Sequence, residues 1–348
     1  MKRRAFLAGI SALATAACRT PGEPSRAREV MTVRGRIQAR KMGFTLTHEH
    51  ILANFQSYEE SARAPLPYDR DNVARKMLPY LSRIASLGCR TFVDATAVGL
   101  GRDPLLLRQM SERSGLHILT ATGNYAANQF HQLPPYVFED SEEALAQRWI
   151  REWTEGIDGT DVRPGFIKLG FNGGPLSDVE RKLIRAGARA HRATGLTIGA
   201  HTGLATAAFE ELAELESLGV HPSAWIWIHA QNEKDLARHQ QAARRGAWIS
   251  LDGVQPESVN EHADRIMALR DSGHLRRVLV SQDAGWYWVG QADGGKVRAY
   301  DTVFTELIPA LRNRGLGQTE IDTLFVENPA NAFAIGVKTL PVASGRAS

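Results

Sequence analysis

The stretch Thr45-Leu46-Thr47-His48-Glu49-His50 places two histidines one residue apart in a run that is typical of a β-strand. Successive side chains of a strand point to opposite faces, so His48 and His50 share one face and Glu49 lies on the other. Each neutral imidazole offers one nitrogen lone pair to a divalent cation, and zinc is commonly held in this way. The stretch therefore predicts a strand that ends in a pair of metal ligands, although a lone His-x-His pair is also compatible with ordinary packing.

The composition is that of a globular protein. Its 348 residues, 43% hydrophobic and 23% charged, are enough for one large barrel or two smaller domains. Several of the charges behind the net +4 lie at the amino terminus, and no Lys/Arg cluster interleaved with aromatic residues is present elsewhere, which argues against a nucleic-acid partner. The two cysteines, Cys18 and Cys89, do not provide a disulfide framework, and Cys89 is predicted to lie at the entry to a buried strand.

Residues 1–18 have the pattern of an export signal. A basic start, Met1-Lys2-Arg3-Arg4, precedes an apolar run over residues 5–17, and Ala14-Thr15-Ala16 offers a small-residue cleavage site. Arg3-Arg4-Ala5-Phe6-Leu7 resembles the twin-arginine signal, which exports folded proteins; an ordinary secretory signal is one alternative and lipidation at Cys18 another. We expect a periplasmic protein without a transmembrane segment, because no apolar run reaches the roughly 20 residues that span a bilayer.

After a polar connector over residues 19–29, strand-like apolar runs alternate with amphipathic helix-like segments to the end of the chain. This alternation predicts an α/β protein with parallel strands, and eight strands with eight crossovers fit a (β/α)8 TIM barrel. No linker or repeat divides the region, so residues 30–340 are predicted to form one domain. The predicted strands are residues 44–50, 91–95, 117–122, 166–169, 197–201, 225–229, 247–251 and 278–281, and the predicted helices include residues 72–87, 142–153, 178–194 and 257–271.

Polar residues fall at the ends of the predicted strands, where a parallel barrel gathers its catalytic groups on the face built by the βα loops. Taken singly, each has an ordinary explanation as a packed histidine, a turn aspartate or a surface lysine. Their joint position predicts a metal centre at the C-terminal face of the barrel. The candidates are His48, His50, Lys168, His201, His229 and Asp283.

Several ordered motifs resemble the phosphotriesterase family of the amidohydrolase superfamily. They include Val93-Asp94-Ala95-Thr96, Thr122-Gly123-Asn124-Tyr125, Ser281-Gln282-Asp283 and Glu327-Asn328-Pro329-Ala330-Asn331, besides the opening stretch, and the resemblance runs over residues 33–335. It implies a TIM barrel that holds two divalent metal ions, with zinc as the expected metal. It also implies that His48, His50 and Asp283 hold one ion, that His201 and His229 hold the other, and that Lys168, carboxylated by carbon dioxide, bridges them.

The chemistry of these residue types agrees with a hydrolase. A lysine ammonium would repel two cations, whereas a carbamate formed on the neutral amine carries a negative charge and two oxygens. A water shared by two metal ions loses a proton near neutral pH, and the hydroxide attacks the substrate while a metal ion polarises the substrate oxygen. Asp283 is the predicted catalytic proton acceptor. Asp94 or Asp252 is expected to fix the tautomer of a ligand histidine by accepting its other N–H.

The chain departs from the phosphotriester-hydrolysing members after His229 and after Asp252, where the residues are Ala230-Gln231-Asn232-Glu233 and Gly253. The accessory proton relay of those enzymes is therefore expected to be absent. We predict a hydrolase of lactones or carboxylic esters, with phosphotriesters as a side activity. An amide hydrolase acting on N-acyl amino acids is the closest alternative, and a non-catalytic metal- or ligand-binding barrel is a more distant one.

The predicted partner is a small-molecule substrate, and its candidate binding residues are Tyr125, Gln231, Trp286 and Trp288. Residues 284–289 are expected to form a loop that presents aromatic surface to an acyl chain or ring, unless the loop only covers the core. Family members often form homodimers, which is an analogy only. The remaining histidines are expected to be structural or surface residues: His117, His131, His191, His221, His239, His262 and His274.

Overall fold

Strands and helices alternate through residues 28–341, the part of the chain that a computed structural model describes. The predicted export signal over residues 1–18, with Cys18, and residues 19–27 of the predicted connector lie outside the described residues. Within residues 28–341, no helix is both long and apolar enough to cross a bilayer.

The elements are short strands joined by helices. The strands are β1 (Glu29–Thr32), β2 (Gly35–Gln38), β3 (Thr45–Ala53), β4 (Thr91–Asp94), β5 (His117–Leu119), β6 (Ala121–Thr122), β7 (Phe166–Gly170), β8 (Ile198–His201), β9 (Trp225–Ile228), β10 (Trp248–Leu251), β11 (Val278–Val280) and β12 (Gly285–Trp288). The α-helices are α1 (Tyr58–Arg63), α2 (Arg70–Ser86), α3 (Pro104–Ser114), α4 (Tyr136–Glu139), α5 (Glu142–Glu155), α6 (Asp178–Thr194), α7 (Ala205–Ser217), α8 (Leu236–Arg245), α9 (Val259–Asp271), α10 (Ile308–Asn313), α11 (Gln318–Asp322) and α12 (Asn328–Ala332).

The strands from β3 to β12 close into a barrel. β6 to β11 pair in chain order into one parallel sheet, and β12, β3, β4 and β5 form a second parallel sheet. β5 continues into β6 after the single residue Thr120, and β12 follows β11 after residues 281–284 and pairs with β3. The two sheets therefore join into one ring, and the predicted (β/α)8 TIM barrel is confirmed.

Alternate residues of a barrel strand pack into different cores. In β9, Trp225 and Trp227 belong to the large apolar layer that also contains the buried faces of the helices. Ile226 and Ile228 belong instead to a smaller cluster that includes Leu279 of β11, from a different part of the ring. Because inward residues from separate strands meet only inside the barrel, this smaller cluster fills the barrel interior.

A β-bulge sets the orientation of the two histidines in β3. Leu46 pairs with Phe92 of β4, and three residues later Glu49 pairs with Asp94, only two residues further along β4. The extra residue reverses the alternation of side chains. Leu46 therefore packs in the outer apolar layer, while His48 and His50 share the opposite face of the strand.

The eight predicted barrel strands lie close to their expected positions, and α6 has the predicted bounds. Glu29, where the predicted connector ends, begins the antiparallel hairpin of β1 and β2. One prediction was wrong. Residues 284–289, expected to be a loop, contain β12, because the backbone of β3 beyond His50 needs a hydrogen-bonding partner on that side of the ring.

Candidate metal centre

The six residues predicted to bind metal lie together at the carboxyl ends of the barrel strands. Their positions follow from the strand bounds: His48 and His50 lie in β3, Lys168 in β7 and His201 at the end of β8, while His229 follows β9 and Asp283 lies between β11 and β12. Lys168 is close enough to Asp252 and Asp283 for both carboxylates to act on its pKa. The barrel thus collects residues that are up to 235 positions apart, from His48 to Asp283.

Three of these side chains converge on one point. The Nε2 atoms of His48 and His50 are 3.2 Å apart. An Oδ1 atom of Asp283 lies 3.0 Å from Nε2 of His50 and 3.5 Å from Nε2 of His48. Two imidazole nitrogens and one carboxylate oxygen are a donor set typical of a zinc site.

The contacts of the Nδ1 atoms of these histidines show that no N–H group points towards this point. Nδ1 of His48 lies 3.3 Å from a carboxylate oxygen of Asp252, and Nδ1 of His50 lies 2.8 Å from Oγ1 of Thr96, which itself donates to the carbonyl of Leu52. Both Nδ1 atoms therefore carry the proton, and both Nε2 atoms present lone pairs. Oδ1 of Asp283 is buried and has no hydrogen-bond partner among the described residues. Three lone pairs that face one another are satisfied by a cation, so the residues fit a metal ion.

A second set of groups lies beside the first. The ring of His229 is 5.0 Å from the ring of His48 and 4.3 Å from the ring of His201, measured between centroids. Nδ1 of His229 contacts Oδ1 of Asp252 at 2.7 Å, which leaves Nε2 of His229 with a lone pair. The two oxygens of Asp252 thus hold one histidine from each set, which places Asp252 where a group that fixes the tautomer of a candidate ligand histidine is expected.

Asp252 is an orienting group in this arrangement. Its Oδ2 atom also accepts hydrogen bonds from Ser250 Oγ at 2.7 Å and from the backbone N–H of His229 at 3.2 Å. His48, His229 and Asp252 are near enough to one another to be considered as ligands of a single ion. Because both oxygens of Asp252 already accept hydrogen bonds, the set of His48, His50 and Asp283 fits a cation better.

Burial keeps most of the site in the form that binds metal. Burial, reinforced by the charge of Lys168, lowers the pKa of His48 to about 4, and burial also lowers the pKa of His201 well below its usual range. Burial acts in the same direction on His229, but its contact with Asp252 outweighs it and raises the pKa of His229. A proton on His229 therefore competes with a metal ion at neutral pH.

Lys168 is a buried amine without a partner. Its side chain is 2% exposed, and no described residue accepts a hydrogen bond from its amino group or forms an ion pair with it. Burial lowers the pKa of Lys168 to about 8, although the charges of Asp252 and Asp283 oppose this shift. A substantial fraction of the amine is thus neutral and nucleophilic near physiological pH.

Glu49 holds the segment that carries Asp283, a role that the sequence analysis missed. Its Oε1 accepts hydrogen bonds from Oγ of Ser281 at 2.7 Å and from the backbone N–H of Gln282 at 2.9 Å, and its Oε2 accepts one from the N–H of Ala284 at 2.8 Å. The signal available in the sequence was a glutamate between two candidate ligands in a predicted parallel strand, where both faces are expected to be buried.

Asp94 does not orient a histidine directly, so that alternative was wrong. Its carboxylate accepts hydrogen bonds from the backbone N–H groups of Ile51 at 2.9 Å and Thr96 at 3.0 Å. It acts one step further away, since it holds the backbone of the threonine that contacts His50.

The predicted substrate-binding residues take different positions. The hydroxyl of Tyr125 lies 3.1 Å from Nδ1 of His201, and the amide of Gln231 exchanges two hydrogen bonds with Asp252. Trp286 stacks on His50, and Trp288 is 38% exposed and packs edge-on against Phe55, with ring centroids 5.2 Å apart. Phe55 also contacts Trp286 at 5.4 Å, so these three aromatic residues form one cluster, the aromatic patch.

A parallel barrel with imidazoles, a carboxylate and a buried lysine at the carboxyl ends of its strands has the site of a metal-dependent hydrolase. The sequence model of the phosphotriesterase family matches residues 28–333. The chain therefore belongs to the phosphotriesterase family of metal-dependent hydrolases.

Individual relatives agree with this assignment. The phosphotriesterase homology protein of Escherichia coli K12 is 30% identical over 295 residues, which cover 84% of this chain and 98% of that protein. The N-acetyltaurine hydrolase of Mus musculus is 27% identical over 348 residues, covering 86% of this chain and 96% of that protein. A solved structure described as organophosphate hydrolysis activity engineered from a weak promiscuous lactonase template superposes with a TM-score of 0.79 at 29% identity, covering 88% of this chain and 100% of that one.

Proposed function

We propose that this protein hydrolyses ester bonds, with lactones or carboxylic esters as preferred substrates and phosphotriesters as a side activity. The observation that carries the proposal is the convergence of the His48, His50 and Asp283 lone pairs on a point without a proton donor, next to His201, His229 and Lys168. Such a site fits cations that activate water. The solved lactonase-derived relative supports the choice of an ester-type bond.

We assign two metal positions to these residues, with zinc as the proposed ion. His48, His50 and Asp283 would hold one ion, and His201 with His229 would hold the other. When bound, such a pair supplies a water of lowered pKa and a Lewis acid for the substrate oxygen. The chain's contribution is to orient three of the four imidazoles through their Nδ1 atoms: Asp252 holds those of His48 and His229, and Thr96 holds that of His50.

Lys168 is proposed to be carboxylated and to bridge the two positions. Its amine is buried without a hydrogen-bond or ion-pair partner among the described residues, so an added carboxylate would replace an uncompensated charge with a group that the metal ions neutralise. Reconstitution of metal-free protein with zinc in the presence and absence of bicarbonate tests this directly. Two equivalents of zinc bound only with bicarbonate would support it, and full loading without bicarbonate or with Lys168→Ala would refute it.

Asp283 is proposed to be the catalytic proton acceptor. Its side chain is 28% exposed, so it contacts the histidines and is also accessible to solvent. One carboxylate oxygen lies 3.0 Å from Nε2 of His50, and a metal ion held between these groups would keep the carboxylate ionised. An ionised carboxylate at this place can take a proton from the attacking water and pass it to the leaving group.

The aromatic patch of Phe55, Trp286 and Trp288 is proposed to receive the apolar acyl part of the substrate. Tyr125, beside His201, and Gln231, beside Asp252, are proposed to contact the reacting group. The N-acetyltaurine hydrolase among the relatives supports amide hydrolysis as the second candidate function. Ester and amide cleavage would use the same residues and differ in the leaving group.

The deciding experiment is hydrolysis of lactones, aryl esters, N-acyl amino acids and a phosphotriester by the zinc-loaded protein. Lys168→Ala and Asp283→Asn are expected to abolish turnover, while Lys41→Ala, which alters an exposed lysine, serves as the matched control. The class cleaved fastest identifies the bond. Two bound zinc ions without turnover of any class would refute the proposed function.

Export through residues 1–18, a periplasmic location and a homodimer remain predictions.

A further inference from the structure

A pocket adjoins the candidate metal centre at Asp283. It has a volume of about 290 Å³ and is lined by polar side chains that include Gln231, Lys234, Glu261, His262 and Arg298, besides Asp283 itself. We refer to it as the polar pocket. None of the residues of the aromatic patch lines it. The polar pocket and the aromatic patch therefore share no lining residue.

Arg298 is a fixed cation in the polar pocket. Its guanidinium donates one hydrogen bond to the carbonyl oxygen of Asp283 at 2.9 Å and another to that of Gln282 at 3.1 Å. No carboxylate within residues 28–341 forms an ion pair with it, whereas the other cation, Lys234, is paired with Glu261 at 3.0 Å. Two of the five N–H groups of Arg298 are used, so the other three can bind an anion in a planar arrangement.

His262 provides a buried acceptor in the same pocket. The residue is 3% exposed, and its Nδ1 donates to the carbonyl oxygen of Ser258 at 2.9 Å. Its Nε2 is buried and has no hydrogen-bond partner among the described residues. Burial lowers the pKa of His262, so the ring is neutral and Nε2 carries a lone pair. An unsatisfied buried acceptor that lines a pocket calls for an N–H or O–H group on the ligand.

We propose that the polar pocket binds the leaving group of the substrate, and that this group carries a carboxylate or sulfonate held by Arg298 and, in amide substrates, an N–H accepted by His262. The inference rests on the proposed function and names its substrate class: acyl derivatives of small amino acids, hydroxy acids or their sulfonate analogues. The acyl part would lie at the aromatic patch, and the bond to be cleaved would lie beside Asp283, which borders both the metal centre and the polar pocket.

Matched pairs of compounds test the anion. The zinc-loaded protein is given acetoxyacetate and its neutral amide, and N-acetylglycine and its neutral amide. We expect kcat/KM to favour the anionic member of the cleaved pair by about tenfold or more, and Arg298→Gln to reduce that preference by a similar factor through KM. Arg298→Lys should restore part of it, and Arg276→Gln, at a 74% exposed side chain, is the control.

His262→Asn tests the acceptor. Asparagine keeps a donor near the Nδ1 position, facing the Ser258 carbonyl, and removes Nε2. We expect KM to rise several-fold for compounds with an N–H in the leaving group and to change less for the corresponding esters. Equal effects on both classes would overturn the role of His262.

Calorimetric titration with glycolate and N-acetylglycine, on zinc-loaded protein, separates the two proposals. Anion binding that Arg298→Gln abolishes and Arg276→Gln preserves supports the pocket even if no bond class is cleaved, in which case only the proposed function fails. Anion binding that survives Arg298→Gln would place the anion on the metal ions and overturn the proposed role of the polar pocket. If Arg298→Gln lowers the turnover of charged and neutral compounds equally, Arg298 only holds the backbone at Asp283 in place, and the proposed anion site is also overturned.

Discussion

The indole of Trp286 lies against the imidazole of His50, with ring centroids 3.7 Å apart and ring planes inclined by 22°. The same indole donates a hydrogen bond from Nε1 to the carbonyl oxygen of Asp283 at 2.9 Å. One side chain thus contacts two residues of the same candidate metal position. Trp286 adopts a positive φ of 70°, a conformation that costs free energy for a large residue and is maintained by these contacts.

Shortening Trp286 should weaken metal binding. Trp286→Phe keeps a ring against His50 but removes the N–H, and Trp286→Ala removes both contacts. We expect zinc affinity, measured by competition with a chelator, to fall by up to about tenfold for the first and by about 10- to 100-fold for the second. The control is Trp288→Ala, which should change KM and leave zinc affinity unaltered. Wild-type zinc affinity in Trp286→Ala would show that the stack contributes nothing to the site.

Asp252→Asn should affect both metal positions at once. The carboxylate contacts Nδ1 of His48 and Nδ1 of His229. In asparagine an amide nitrogen would face one of these N–H groups, and the remaining neutral oxygen would be a weaker acceptor for the other. We expect zinc affinity at both positions to fall by about 10- to 100-fold. Metal analysis after dialysis measures this, with Asp264→Asn, at a 71% exposed side chain, as the control. Loss of only one zinc equivalent would contradict the proposed coupling.

Metal binding should release protons. Contact with Asp252 raises the pKa of His229 despite its burial, and burial lowers the pKa of Lys168 to about 8, so both groups are partly protonated in the metal-free protein at pH 7. A group that must lose its proton to bind gives an affinity that rises with pH until the pKa is passed. We therefore expect zinc affinity to increase up to about pH 8 and then level off. Calorimetry at pH 7 in two buffers of different ionisation enthalpy counts the protons, and heats independent of the buffer would contradict the prediction.

Glu49→Gln should destabilise the segment that carries Asp283. Glutamine retains one acceptor oxygen, and its amide N–H groups would face a backbone N–H of Gln282 or Ala284. We expect the free energy of unfolding to fall by about 1–3 kcal/mol, because a buried donor loses its acceptor. Chemical denaturation measures this, and Glu59→Gln, at an exposed residue of α1, is the control. Equal stability of Glu49→Gln and the wild type would exclude a structural role for the carboxylate.

Local patterns were enough to predict the barrel. Runs such as residues 225–229 and 278–281 are apolar and strand-forming over their own few residues, and the helix at residues 178–194 has its amphipathic period and its capping serine within one segment. β12 escaped prediction because Gly285 to Trp288 becomes a strand only through pairing with β3. A sequence pattern does not include the partner that makes such a segment extended.

The common location of the six candidate ligands was also predictable, because parallel strands deliver their carboxyl-terminal residues to one face whatever the details of packing. Their supports were not. Trp286 on His50, Glu49 on the backbone around Asp283, and Arg298 with His262 in one pocket are contacts between residues that share no local pattern.

The sequence by itself determined the class of fold and the identity of the chemical groups, because alternation within strands and residue type are properties of short segments. Only the tertiary structure decided which way those groups face and what holds them. The bulge between Leu46 and Glu49 shows the difference most directly: simple alternation would put His48 on the face of Leu46, and pairing with β4 inserts the extra residue that turns both histidines towards the site. Register is a property of two strands together, so no single run of residues contains it.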